Sequence, residues 1–320
     1  RDDLASPRSE IFLGLMSLSL KQSELAQSAR AKGQRREAKL SMGTTAYWYY
    51  PAAKRSGKTE SLVMIHGYRG NHHGLEAIAG AITDLDIYIP DLPGFGQSDA
   101  FRNEHNIANY AKWLNSFIDS LELKKKPHLL GHSFGSIVVS AFAAKFDSIA
   151  SLILENPVAA PALKGPKALT TAVAKGFFWF AEVLPESLGN ALLKSWPMVR
   201  GMSVIMTKSR NAELRRWVHA QHDANFNDFA NRRVAIEGYN ASISHNVSDY
   251  AADFKVPTLL IIGSRDDITS PKQQFEMSQK ISVPHAISQH MGVGHLTHYE
   301  IPSDVAQDIR QFVAQQEFGI

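Results

Sequence analysis

The stretch His128-Leu129-Leu130-Gly131-His132-Ser133-Phe134-Gly135-Ser136-Ile137-Val138-Val139 decides the fold. Its first part is short and apolar, as a strand covered on both faces must be. Its second part continues as Val138, Val139, Phe142 and Phe146 at helical spacing. Between them lies Gly131-x-Ser133-x-Gly135. A turn that tight between strand and helix predicts a strained Ser133 with its hydroxyl exposed. Glycines at 131 and 135 remove the Cβ atoms that would collide with the neighbouring strand and helix. The helix behind directs its free N–H groups and positive dipole end toward the same point. The setting predicts a nucleophilic serine.

Working outward, apolar runs and helical patterns alternate. Thr44–Tyr50, Ser61–His66, Asp86–Pro90, Ser151–Glu155, Thr258–Gly263 and His285–His290 read as further strands. Helical spacing appears in Ile107, Tyr110, Leu114, Phe117 and Leu121, and again in Val305, Ile309, Phe312 and Val313. That alternation predicts an α/β fold, a mostly parallel sheet with helices on both faces. From Pro157 to His245 helical patterns continue without a strand, and a structureless loop of that length is implausible. The expected organisation is an N-terminal helical extension over 1–43, a core over 44–156 and 246–320, and an inserted helical cap over 157–245.

A serine hydroxyl is a poor nucleophile until a base takes its proton. The order expected after such a turn is Ser, acid, His. Thr258–Gly263 runs into Ser264-Arg265-Asp266-Asp267, and Asp266, third after Gly263, is preferred to Asp267 as the acid. His285–His290 is followed by Met291-Gly292-Val293-Gly294-His295, which offers His295 as the base. Glu155 is an alternative acid for which a structural part is expected, and His298 is a weaker base candidate. The oxyanion of acyl transfer needs fixed donors. The N–H of Phe134 is one; the N–H of Tyr68, after Gly67 in His66-Gly67-Tyr68-Arg69-Gly70, is the other.

Composition narrows the remaining classes. The chain has 320 residues, is 44% hydrophobic and 20% charged, and carries 34 Lys and Arg against 31 Asp and Glu. A net charge of +3 on a chain of that length gives no case for nucleic-acid binding. Cysteine is absent, which excludes disulfides, thiolate metal sites and a cysteine nucleophile. Ile11–Leu20 is apolar but shorter than the roughly 20 residues that span a bilayer. It is read as part of an amphipathic packing helix over 9–32 rather than a targeting remnant, so no integral membrane segment and a cytoplasmic location are expected. His219, His222 and Asp223 are read as a solvated helix face and Arg69 as a surface residue. The stripe Met198, Met202, Met206 is read as cap core, with a pocket for acyl chains as the alternative. Dinucleotide and P-loop signatures are missing, and neither a cofactor nor a metal is expected.

His66–Gly70, Asp91–Asp99, Gly131–Ser136, Gly263–Asp267 and Gly292–Glu300, in that order, resemble the α/β-hydrolase fold superfamily over roughly residues 44–318. The resemblance implies Ser133 as nucleophile, Asp266 as acid, His295 as base, and Tyr68 and Phe134 as oxyanion donors. It also implies that Asp91–Asp99 shapes the core and pocket rim without catalysis. The expected activity is cleavage of a carboxylic ester with a small or medium apolar acyl or alcohol part. Lactone, amide, thioester or carbon–carbon hydrolysis and acyl transfer remain open on the same residues. A non-catalytic receptor that uses the cap is the reading from another class.

Overall fold

The structure, a computed structural model, describes residues 22–161 and 168–317. Among the described residues eight strands form one sheet: β1 (Gln34–Leu40), β2 (Gly43–Tyr50), β3 (Ser61–Ile65), β4 (Asp86–Pro90), β5 (His128–His132), β6 (Ser151–Glu155), β7 (Thr258–Gly263) and β8 (His285–His290). Their order is β1-β2-β4-β3-β5-β6-β7-β8. β1 with β2 and β2 with β4 are antiparallel; every other pair is parallel. The expected mostly parallel sheet is therefore present. Every residue of β4 through β7 is buried, which is why those runs are apolar on both sides of the strand.

Helices α1 (22–32), α2 (Glu76–Ala81), α3 (Ile107–Ser120) and α4 (Phe134–Lys145) precede the insertion. α5 (Ala168–Val183), α6 (Glu186–Leu193), α7 (Trp196–Met206), α8 (Ala212–Asn225) and α9 (Arg232–Ser244) compose it, and α10 (Pro271–Ser278), α11 (Thr297–Glu300) and α12 (Pro302–Glu317) follow. Successive strand residues feed opposite layers, as the two-residue period of a strand requires. Val63, Ile65, Leu129 and Leu152 pack with α3 and α4 in one core. Leu62, Met64, Leu130 and Ile153 pack with α2, α12 and Ala29 of α1 in the other. A Cβ on Gly80 would lie 2.0 Å from the Leu25 carbonyl oxygen, so α1 sits backbone to backbone on α2.

One boundary needs correction. Residues 34–40, expected within a helical extension, form strand β1. Its sequence QRREAKL buries only Ala38, so the apolar signal that marks the inner strands is missing there. The Ile11–Leu20 run lies outside the described residues. Among the described residues no helix is long and apolar enough to cross a membrane.

The helical insertion rests on loops at the carboxyl ends of the parallel strands. The Tyr68 hydroxyl donates to the Ala235 carbonyl at 2.5 Å, and the His105 N–H donates to Glu237 at 2.8 Å. Phe95 and Phe229 form an isolated β-bridge. In open α/β sheets this is the edge where ligands bind.

Candidate active site

The turn after β5 takes the strain that its sequence implies. Ser133 has φ 52° and ψ −118°, a conformation that L residues rarely adopt. Its N–H is fixed by the Glu155 carbonyl at 3.1 Å, and its carbonyl accepts from the Ser136 N–H at 2.8 Å. A Cβ on Gly131 would lie 2.5 Å from the Gly135 carbonyl oxygen, and one on Gly135 would lie 2.4 Å from that of Ile65. Only glycines let helix, turn and β3 approach this closely.

Residues distant in sequence meet at this turn. His295 Nε2 lies 2.7 Å from Ser133 Oγ, and His295 Nδ1 lies 2.9 Å from Asp266 Oδ2. An ionised carboxylate only accepts, so Nδ1 carries the proton and Nε2 is left to accept from the serine hydroxyl. The acid and base loops nest: a Cβ on Gly263 would lie 2.2 Å from the Gly294 carbonyl oxygen. His132 Nε2 donates to the His295 carbonyl at 3.1 Å and steadies the base loop from below.

Asp266 and His295 are both 3% exposed. Burial pushes the Asp266 carboxyl up. The facing imidazole and the bonds from His295, the Ile268 N–H and Asn156 outweigh it and hold the group below its ordinary value. Asp267, by contrast, is exposed and pairs with Lys208. Of the two adjacent aspartates, the structure turns only Asp266 to the imidazole. Glu155 accepts from Thr297 Oγ1 at 2.5 Å, and burial pushes its carboxyl up to about 7 despite that bond. It is placed behind the base loop, not on His295. His298 is buried, with its ring 4.1 Å from that of His132.

The loop after β3 runs beside the turn, since a Cβ on Gly67 would lie 3.4 Å from Ser133 Cβ. Among the described residues, neither the Tyr68 nor the Phe134 N–H donates to a protein acceptor. Phe134 opens α4, whose first amides have no partner within the helix.

Sequence reasoning missed the supports. Asn156, directly after β6 and at φ 44°, donates to Asp266 Oδ2 at 3.1 Å and to the Gly294 carbonyl at 3.3 Å. Gln274 of α10 donates to the same carboxylate oxygen at 3.2 Å. Nothing local marks either residue, because their partners lie on other elements.

Two other expectations change. Arg69 is fully buried, not at the surface. Its guanidinium donates to the Leu193 carbonyl at 2.7 Å, to Asn227 Oδ1 at 2.5 Å and to the Phe226 carbonyl at 3.2 Å, clamping the loop after β3 to the insertion. His219 and His222 are buried rather than solvated, with Nδ1 atoms 2.6 and 2.7 Å from the Ser203 hydroxyl; Asp223 pairs with Arg200 instead. Met206 packs against a small cluster that includes Leu214 and Leu296, whereas Met198 joins the main core. Among the described residues, His72, His73 and Glu76 lie close enough to hold a metal ion. Arg30 Nε already donates to Glu76 Oε2 at 2.6 Å, and His72 Nδ1 is engaged by Asp91 at 2.9 Å, so two of the three have protein partners; His73 Nδ1, 3.0 Å from the same Glu76 oxygen, makes no hydrogen bond.

Known proteins repeat this arrangement of strands. The chain is similar to Lipase 3 of Moraxella sp. (strain TA144), at 26% identity over 79% of this chain and 77% of the lipase. It is similar to monoacylglycerol lipase ABHD6 of Mus musculus, at 24% identity over 83% of this chain and 79% of that protein. A thermophilic esterase from Thermogutta terrifontis superposes with a TM-score of 0.69 at 20% identity, over 88% of this chain and 99% of the esterase. Residues 60–302 match the family described as the alpha/beta hydrolase fold, and with strand order and match in agreement, the chain belongs to that family.

Proposed function

We propose that the protein is a serine hydrolase that cleaves a carboxylic ester through an acyl-enzyme, with residues 157–245 as its cap. The observation that carries this reading is the continuous chain of contacts from Ser133 Oγ through the His295 imidazole to Asp266. His295 Nε2 takes the hydroxyl proton as Ser133 Oγ attacks the carbonyl carbon. The imidazolium that forms is stabilised by Asp266, which stays ionised because the bonds around it hold its proton affinity down. The uncommitted amides of Tyr68 and Phe134 are the donors for the oxyanion. The tetrahedral intermediate collapses as His295 protonates the leaving alcohol. Water, deprotonated by the same nitrogen, then releases the acid and restores the serine. No step calls for a cofactor.

The likeness to lipases and an esterase supports an ester with an apolar acyl part. So do Tyr68, Phe134, Phe178 and Tyr239, whose rings pack together where the loop after β3 meets the first residue of α4. The cytoplasmic location remains a proposal.

The test is release of p-nitrophenol from short and medium acyl esters together with labelling by a fluorophosphonate. Wild-type protein is expected to turn over and to be labelled at Ser133. Ser133→Ala is expected to lose about 10⁴-fold or more in kcat while keeping its melting temperature. Ligand binding with no turnover and no labelling would favour the receptor reading.

A further inference from the structure

The insertion carries an apolar surface on its outside as well as its inside. α5 buries Phe178 and Ala181 toward the core, yet Trp179, Phe180 and Val183 face outward. α7 opens with outward Trp196 and ends with outward Val204 and Ile205. Trp179, Trp196 and Ile205 are 62%, 60% and 62% exposed. The three aromatics together offer on the order of 350 Å² to solvent, divided between the two helices. α5 therefore carries apolar side chains on its exposed side as well as its buried one, with Lys175 and Glu182 among the exposed ones. α5 has 16 residues, too few to cross a bilayer, so it can lie on an apolar medium but not span one.

Charge selects the medium. Residues 157–216 hold nine Lys and Arg against three Asp and Glu, so this stretch is +6 while the rest of the +3 chain is −3. Exposed Lys175 and Lys194 lie on α5 and just after α6, and exposed Arg210 follows α7. Tryptophan prefers the boundary between headgroups and hydrocarbon, and basic residues gain from anionic headgroups at the same depth. A second copy placed face to face would oppose two positive stretches, which disfavours self-association.

We infer that the outer face of α5 and α7 docks on the surface of a lipid bilayer that carries anionic headgroups. Docked in this way, the bilayer lies one helix, about 10 Å, beyond the Tyr68 and Tyr239 rings on which α5 packs. The inner Phe178 of α5 stacks on Tyr239 at 4.0 Å and packs near Tyr68. The inference rests on the hydrolase reading only for what that proximity delivers, an acyl substrate drawn from lipid; the docking itself does not depend on it.

The experiment is co-sedimentation of the full chain, as Ser133→Ala to leave the lipid intact, with phosphatidylcholine vesicles. A second set contains roughly one-third phosphatidylglycerol. The expected result is binding to the anionic vesicles that weakens with salt and falls at least about tenfold in a Trp179→Ser, Phe180→Ser, Trp196→Ser variant. In an otherwise wild-type background the triple variant is expected to keep its turnover of a soluble short ester and its circular dichroism spectrum. No sedimentation with either vesicle, or equal binding by the triple variant, overturns the inference. A concentration-dependent dimer that the triple variant abolishes assigns the face to a second copy instead. Vesicle binding that appears only after removal of residues 1–21 assigns it to that segment. If soluble esters are not hydrolysed at all, the hydrolase reading fails while the sedimentation result still stands.

Discussion

Asp266 and Asp267 are adjacent, yet their side chains meet opposite environments. One carboxylate accepts from His295, Asn156, Gln274 and the Ile268 N–H; the other holds an exposed pair with Lys208. Asp266→Asn is therefore expected to lower kcat/KM by about 10³–10⁴-fold, because the imidazole loses its orienting charge. Asp267→Asn is expected to stay within about threefold, as removal of an exposed ion pair should. Steady-state kinetics on one ester checks both. Position after a late strand was enough to favour Asp266 from the sequence. Arg69, His219 and His222 were misread because charged or titratable side chains mark the surface in most proteins, and their burial depends on carbonyls and a hydroxyl that sequence does not bring into view. Arg69→Met would leave the Leu193 carbonyl and Asn227 Oδ1 without their donor. Urea unfolding is expected to show a loss of about 2–4 kcal/mol.

At the scale of elements, the contact that matters most is the one between α4 and β3. Gly135→Ala would set a Cβ 2.4 Å from a backbone oxygen, and neither element can yield as a side chain could. The expected outcome is displacement of α4, with melting temperature and any turnover of a p-nitrophenyl ester falling together; an unchanged melting temperature would contradict it. Strands β3 to β7 were legible because burial on both faces writes an uninterrupted apolar run. β1 was not, because it sits at the sheet's edge and pairs its backbone while its side chains stay in water. The helices of the insertion were legible as helices. Which of their faces turn inward was not, since α5 is apolar on both.

For the molecule as a whole, pH acts mainly through its buried histidines. Burial pushes His132 and His222 down to about 3, His105 and His128 down to about 4, and lowers His66, His219 and His298. Unfolding exposes these rings to water, where they take up protons near pH 6.5, so stability is present above that value and is lost as pH falls toward the native values. Glu155 and Glu300, each pushed up to about 7 by burial, work oppositely: their contribution is present below about pH 4.5 and is lost as pH rises toward 7. Seven histidines outweigh the two glutamic acids and His290, which the Asp308 carboxylate raises. Calorimetry is expected to show the melting temperature falling between pH 6.5 and 4.5, with net uptake of more than one proton on unfolding. A melting temperature that rises over that interval would refute the balance.

The sheet's first strand has a further consequence for life at high concentration. Four of the seven residues of β1, Arg35, Arg36, Glu37 and Lys39, carry charge, and all of them are exposed. A neighbouring molecule that tried to extend the sheet across this border would have to strip water from those ions before its first ladder bond formed. The outermost strand thus acts as a hydrated fence against fibrillar growth.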